Sequence, residues 1–283
     1  MNFFRFLLNF IPDKLYLQLI FFKHFHRFIN FKNPKTFNEK LQWLKLYNRK
    51  PEYTMMVDKY LVKEYVALKI GGEYIIPTLG VWDHPHEIDF CKLPNQFVLK
   101  WNHDSGSIVI CKDKEQFDVQ EAIKKLKIAD GRTGYWYGRE WPYKNVEPKI
   151  IAEKYMEDYG TEELRDYKFF CFDGRVQLMF VASDRQNSTV DTKFDFFDRD
   201  FVHLSIKQGH PNADKKIEKP QNFNLMIQLA EMLSKGMPHV RVDFYEVNGR
   251  VFFGEMTFFH FSGFVPFEPN LWDEKLGKML QIG

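Results

Sequence analysis

The chain has 283 residues, enough for one large domain or two modest ones around real cores. Hydrophobic residues make up 45% and charged residues 28%, which excludes a mainly disordered chain. A formal net charge of +2, with no arginine-rich tail, gives no ground for nucleic-acid binding. The 30 phenylalanines read as core filling. Cys91, Cys111 and Cys171 are odd in number and far apart, which argues against a disulfide framework or zinc site and for reduced core cysteines in a cytoplasmic protein.

In chain order, Phe3 to Ile11 is apolar but short, broken by Arg5 and stopped by Pro12, so it does not read as a secretory signal. Leu15 to Phe31 is interrupted by Lys23, His24, His26 and Arg27 before the ~20 residues a membrane span needs. It reads as a docking helix, with loose attachment to a membrane surface a second possibility. Thr36 and Glu39 have capping-box spacing, so a helix is expected to start near Phe37. A further helix is expected over Tyr53 to Ile70, ended by Gly71-Gly72.

Strands are expected over Tyr74 to Leu79, Phe97 to Lys100 and Ser107 to Cys111, then a helix over residues 116 to 128 and an irregular loop from Gly131 to Pro148. Four strands should follow: Lys149 to Glu153, Tyr167 to Phe172, Arg175 to Ala182 and Thr192 to Phe197. After a helix over Asn222 to Lys235 come His239 to Tyr245 and Arg250 to Glu255. Asp173-Gly174 and Asn248-Gly249 are hairpin turns. Helices mixed with antiparallel hairpins indicate the α+β class. The expected organisation is a helical region over residues 1–70 and one larger region over 71–283, with a central lobe about 97–156.

Three segments carry chemistry. Alternation puts Arg241 and Asp243 on one strand face, and the Asn248-Gly249 hairpin brings Glu255 toward them. Two carboxylates and an arginine within apolar strands need partners. Mg²⁺ with phosphate is one solution, and a structural salt bridge is the other. Lys100 closes an apolar strand before the small-residue loop Ser105-Gly106-Ser107, which suits phosphate, although the P-loop pattern is absent. Lys149 to Met156 is an apolar strand running into a polar turn whose backbone could hold a purine.

Together these segments resemble the TupA-like (teichuronopeptide biosynthesis) ATP-grasp family found with bacterial surface-polysaccharide genes. The residues that carry the resemblance are Pro34 to Lys40, Val57 to Tyr60, Phe97 to Lys100, Ile151 to Tyr155, Asp166 to Phe169, Arg241 to Asp243, and Gly254-Glu255. The resemblance implies an ATP-grasp fold, two α+β lobes holding the nucleotide between antiparallel sheets. It implies ATP and Mg²⁺ as cofactors and an ATP-dependent carboxylate–amine ligase acting through an acylphosphate. The carboxylate would be that of a uronic acid in a capsular or other surface polysaccharide, joined to an amine. Contact with the inner membrane or with polysaccharide-assembly enzymes would fit that setting.

By position, the resemblance makes Lys59 and Lys100 nucleotide-facing lysines, with the Ser105-Gly106-Ser107 loop over the phosphates. Glu153, Lys154, Tyr155 and Met156 become the adenine hinge and Asp166 a ribose contact. Asp243 and Glu255 match the metal ligands, and Thr257 stands where many relatives carry asparagine. Arg241, Lys168 and Arg185 become phosphate cations. His260, Ser262 and Gly263 fall on the acceptor side, where a core histidine is an equal reading. A glycosyltransferase holding its metal through Asp195 and Asp198, a phosphotransferase on the same fold, and a non-enzymatic scaffold are the rival readings.

Overall fold

The structure, a computed structural model, describes residues 10–104, 106–129, 134–160, 163–185 and 191–283. The chain divides into two compact units, one formed by Lys50–Glu157 and the other by Met1–Arg49 with Asp158–Gly283. The helical region expected over residues 1–70 therefore contributes to both.

In the Lys50–Glu157 unit, helices α3 (Glu52–Val57) and α4 (Val62–Ile70) replace the single helix expected over Tyr53 to Ile70. The break has a local cause: Asp58 Oδ1 accepts the Tyr60 and Leu61 N–H groups, competing with helix continuation. Strands β1 (Thr78–Trp82), β2 (Phe97–Trp101), β3 (Val109–Cys111) and β4 (Ile150–Lys154) form an antiparallel sheet in the order β1-β4-β2-β3. The first strand begins later than expected because Gly72–Tyr74 forms a 3₁₀ turn. Helix α5 (Val119–Ala129) sits over the sheet, burying Ala122 and Leu126 with Phe97, Leu99 and Trp101. The expected loop over residues 131–148 contains helix α6 (Gly134–Gly138) and the 3₁₀ turn Trp141–Asn145, while residues 131–133 lie outside the described residues.

The other unit opens with α1 (Asp13–Phe25) and α2 (Phe37–Tyr47). Thr36 and Glu39 form the expected capping box. Strands β5 (Asp166–Phe172), β6 (Arg175–Ser183), β7 (Lys193–Asp198), β8 (His203–Leu204), β9 (His239–Val247) and β10 (Arg250–Thr257) make an antiparallel sheet ordered β10-β9-β5-β6-β7-β8. Both predicted turns take positive φ at both central residues, 48° and 74° at Asp173-Gly174 and 51° and 71° at Asn248-Gly249. One sheet face packs Phe169, Met179, Val242 and Phe244 in the core with α7 (Phe223–Ser234). The other face is also covered: it carries the fully buried Phe170, Phe180 and Phe196 beside the polar residues of β5 and β9, with Phe170 meeting Phe37 of α2.

In this unit the short β8 and helix α8 (Leu271–Met279) were not foreseen in the sequence. The latter packs on α2, where Asp273 accepts the Asn38 N–H at 2.8 Å. Cys111 and Cys171 are buried thiols, but Cys91 is exposed on a 3₁₀ turn, correcting its expected core position. No helix among the described residues is long and apolar enough to cross a membrane.

Candidate active site

In the six-stranded sheet the decisive feature is an extra residue. Pairing runs Phe253↔Phe244 and then Glu255↔Asp243, leaving Gly254 as a bulge. Were Gly254 instead paired in regular register with Asp243, Glu255 would face Val242 and point into the α7 side, because a one-residue slip reverses every side chain beyond it. Glycine fits this place: a Cβ on Gly254 would lie 3.1 Å from the Asp243 carbonyl oxygen. The bulge thus brings Glu255 onto the face that already carries Arg241 and Asp243.

There Arg241 joins the group. Its Nε donates to Asp243 Oδ1 at 2.7 Å, and Nη2 donates to Asp243 Oδ2 (2.7 Å), Glu255 Oε1 (2.9 Å) and Thr257 Oγ1 (3.0 Å). Thr257 Oγ1 in turn donates to Glu255 Oε1 at 3.1 Å. Lys168 stands opposite Asp243 on β5, and its ammonium donates to Asp243 Oδ2. Two residues earlier on the same face, Asp166 is 3.6 Å from Lys168 Nζ and ion-paired with Arg185. Burial pulls the Lys168 ammonium below its ordinary value, with Asp243 opposing that shift. Three carboxylates and three cations so balance one another where Asp166, Lys168, Arg241 and Asp243 are buried, which a lone buried charge could not sustain.

His260 lies behind Arg241, fully enclosed. Since a guanidinium has no acceptor, the 2.7 Å contact from Arg241 Nη1 fixes Nδ1 as the acceptor. Nε2 then carries the proton and donates to Gln208 Oε1 at 3.0 Å, while Gln208 Nε2 donates to the Val265 carbonyl. Burial, reinforced by Arg241, holds the imidazole well below its ordinary pKa, so it is neutral. Of the two readings open in the sequence, the core histidine is the one realised. Gln208 carries no sequence signal; only the fold brings it here. Ser262 and Gly263 lie on a turn held by Gln42 and Lys45 of α2 through their carbonyls.

In the Lys50–Glu157 unit the strand register places Glu153 beside Thr78 on one side and Val98 on the other. Its buried carboxylate lies 2.5 Å from Lys100 Nζ and 2.7 Å from Lys63 Nζ. Burial would raise the Glu153 pKa, but Lys100 and Lys63 outweigh it and hold the carboxyl below its ordinary value. One carboxylate facing two ammonium groups leaves a surplus positive charge, the condition a phosphate group needs. The Glu153 side chain is thus committed to orienting lysines, while Lys154 ends the strand and Tyr155 and Met156 continue beyond it.

Sequence reasoning missed Lys63. It stands four residues after Lys59 with nothing in the sequence to separate the two, and only the position of Glu153 singles it out. Lys59 holds a loop: its Nζ donates to the Asp104 carbonyl at 2.7 Å, while neighbouring Asp58 accepts from Asn102 Nδ2. Asp104 Oδ1 then gathers the Gly106 and Ser107 N–H groups and the Ser107 hydroxyl, tying residues 106 and 107 back to the segment just after β2. Ser105 lies outside the described residues.

A family profile described as TupA-like ATPgrasp matches residues 39–281. The chain belongs to the TupA-like ATP-grasp family. Its α+β class and two antiparallel sheets accord with the fold expected from the sequence. A search of curated proteins found no match. Among solved structures, the chain is similar to a D-alanine–D-alanine ligase from Bacillus anthracis complexed with ATP, at 14% identity and a TM-score of 0.40. That match covers 72% of this chain and 53% of the ligase, so the chain spans about half its length. It is also similar to the D-alanine–D-alanine ligase from Helicobacter pylori (14% identity, TM-score 0.44, covering 86% of this chain and 69% of that one). D-cycloserine synthetase DcsG matches at 16% identity with a TM-score of 0.44, over 82% of this chain and 72% of the synthetase.

Within this TupA-like ATP-grasp chain, the donor set on β9 and β10 suits a hard divalent cation. The Asp243 and Glu255 carboxylates and the Thr257 hydroxyl are all oxygen ligands on one face. Among the described residues no group of three or more His, Cys, Asp or Glu side chains gathers to hold a metal. A cation here would therefore draw on those two carboxylates, the hydroxyl and the oxygens of a bound phosphate.

Proposed function

We propose that the chain is an ATP-dependent carboxylate–amine ligase that acts through an acylphosphate and uses ATP with Mg²⁺. The observation that carries this reading is the Arg241 guanidinium, shared among Asp243, Glu255 and Thr257 with Lys168 beside it. It offers cations for a transferring phosphoryl group next to hard oxygen ligands. Family membership supports the same assignment.

A substrate carboxylate oxygen attacks the γ-phosphorus of ATP, the bond to the β–γ bridging oxygen breaks, and ADP leaves. The amine nitrogen then attacks the carbonyl carbon of the acylphosphate, the carbon–oxygen bond to phosphate breaks, and the amine loses a proton. The products are an amide, ADP and phosphate. Arg241 and Lys168 neutralise charge on the transferring group, and Lys100, aimed by Glu153, binds phosphate oxygens. Mg²⁺ held by Asp243 and Glu255, with Thr257 beside them, supplies further charge neutralisation when bound. Arg185 and Asp166 set the charge around Lys168, the loop over residues 105–107 covers the phosphates, and the 154–156 backbone serves the adenine.

The carboxylate is that of a hexuronic acid in a surface polysaccharide, and the acceptor is an amino acid or amino alcohol. The family's setting among surface-polysaccharide genes supports this choice. The test incubates the protein with MgATP, a hexuronic acid and a panel of amines, following ADP and free phosphate together with the amide mass. Equal ADP and phosphate release that needs both substrates, with the amide formed, is the expected result. A phosphorylated sugar without free phosphate would make the protein a phosphotransferase, and sugar-nucleotide cleavage without ATP a glycosyltransferase.

A further inference from the structure

Helix α1 is apolar on two opposite sides. Leu17 and Phe21 are completely buried against the rest of their unit. Leu15, Leu19 and Phe22, at i, i+4 and i+7, form the opposite stripe and are 52%, 52% and 44% exposed. Phe28 stacks on Phe22 with ring centroids 4.8 Å apart and is 61% exposed, so the patch continues past the helix end. A surface helix normally turns polar side chains outward; a contiguous exposed apolar stripe of this kind marks a contact surface.

The charge around the stripe identifies the contact. Between residues 10 and 35 the chain carries Lys14, Lys23, Arg27, Lys32 and Lys35 against a single acid, Asp13. Asp13 is ion-paired with Arg49 at 2.7 Å, so its charge is compensated within the protein. Arg27 is similarly ion-paired with Glu39, and the four lysines are exposed. We propose that the outer face of α1 docks on an anionic lipid surface, with Leu15, Leu19, Phe22 and Phe28 in the interfacial layer and Lys14, Lys23 and Lys32 against the headgroups. A second copy of this chain is a poorer occupant, because a two-fold contact would set this basic rim against itself. The proposal does not depend on the ligase reading.

The test is flotation of the full chain with phosphatidylcholine vesicles, with and without phosphatidylglycerol. The wild type should float with the anionic vesicles and bind the neutral ones about tenfold more weakly, with high salt removing the difference. Leu19→Glu with Phe22→Glu should lower binding by a factor on the order of ten or more. Lys23→Glu with Lys32→Glu should abolish the preference for anionic lipid. Circular dichroism and an unchanged melting temperature would show that both variants are folded, since all four positions are exposed. Failure of the wild type to float with either vesicle would overturn the proposal. So would undiminished binding by Leu19→Glu with Phe22→Glu, or light scattering showing a dimer that this variant splits.

Discussion

Replacing Glu153 by glutamine keeps the shape of the side chain and removes the charge between two lysines. Lys63 and Lys100 side chains are only 14% and 17% exposed, so both ammonium groups would stay largely desolvated without their counterion. Breaking a buried pair in this way costs about 3–5 kcal/mol. Lys63 keeps the Ile76 carbonyl at 2.9 Å and the Thr78 hydroxyl at 2.7 Å, which places the loss near the lower end, about 3 kcal/mol. Urea unfolding at neutral pH, followed by tryptophan fluorescence and circular dichroism, would read this as a lower midpoint.

The pH dependence gives the same substitution a second signature. The folded Glu153 pKa lies below the ordinary 4.5, so its contribution is present above 4.5 and is lost as pH falls through the lowered folded value. The gap between wild type and Glu153→Gln should therefore be constant near neutrality and close on acidification below 4.5. An unchanged midpoint at neutral pH, or a gap that persists in acid, would refute the account of Glu153 as counterion to both lysines.

Other outcomes follow from particular contacts. A Cβ on Gly277 would lie 2.1 Å from the Lys35 carbonyl oxygen and 2.8 Å from the Thr36 backbone, so Gly277→Ala should force α8 off α2 and lower stability by about 2–3 kcal/mol. An unchanged melting temperature would contradict that packing. His239 and His260 are both buried and neutral, with burial bringing His239 to about 3. Each contribution is present above the unfolded value of 6.5 and is lost as pH falls toward the lowered folded pKa, because the unfolded chain takes up protons first. Well below 6.5 the pair should cost roughly 2.7 kcal/mol per pH unit, and His260→Leu should halve that slope; equal slopes for wild type and variant would refute the assignment.

Much of the fold was legible because its signals are local. Thr36 and Glu39 cap a helix within four residues, and Asp173-Gly174 and Asn248-Gly249 adopt positive φ whatever surrounds them. The Arg241, Asp243 and Glu255 grouping was legible from alternation and one hairpin, although the Gly254 bulge that brings Glu255 to the correct face was not. Lys63 and Gln208 were hidden for a different reason. Each acts through a partner distant in sequence, Glu153 for one and His260 for the other, and only the tertiary packing of helix, strand and turn sets such pairs side by side. The split of the Tyr53 to Ile70 helix has a local cause in the turn at Asp58, to which Asn102 adds a distant partner on the other carboxylate oxygen. Helix α8 was overlooked because its polar exposed face leaves few apolar positions to show a period.

The proposed function assigns MgATP contacts to Lys100 in one unit and to Asp243 in the other. Isothermal calorimetry of MgATP against wild type, Lys100→Ala and Asp243→Asn tests it most directly. Metal-dependent binding by the wild type is expected, weakened at least about tenfold by either substitution, each removing a charge-assisted contact. Absence of binding by folded wild-type protein, or binding that neither substitution alters, would contradict it.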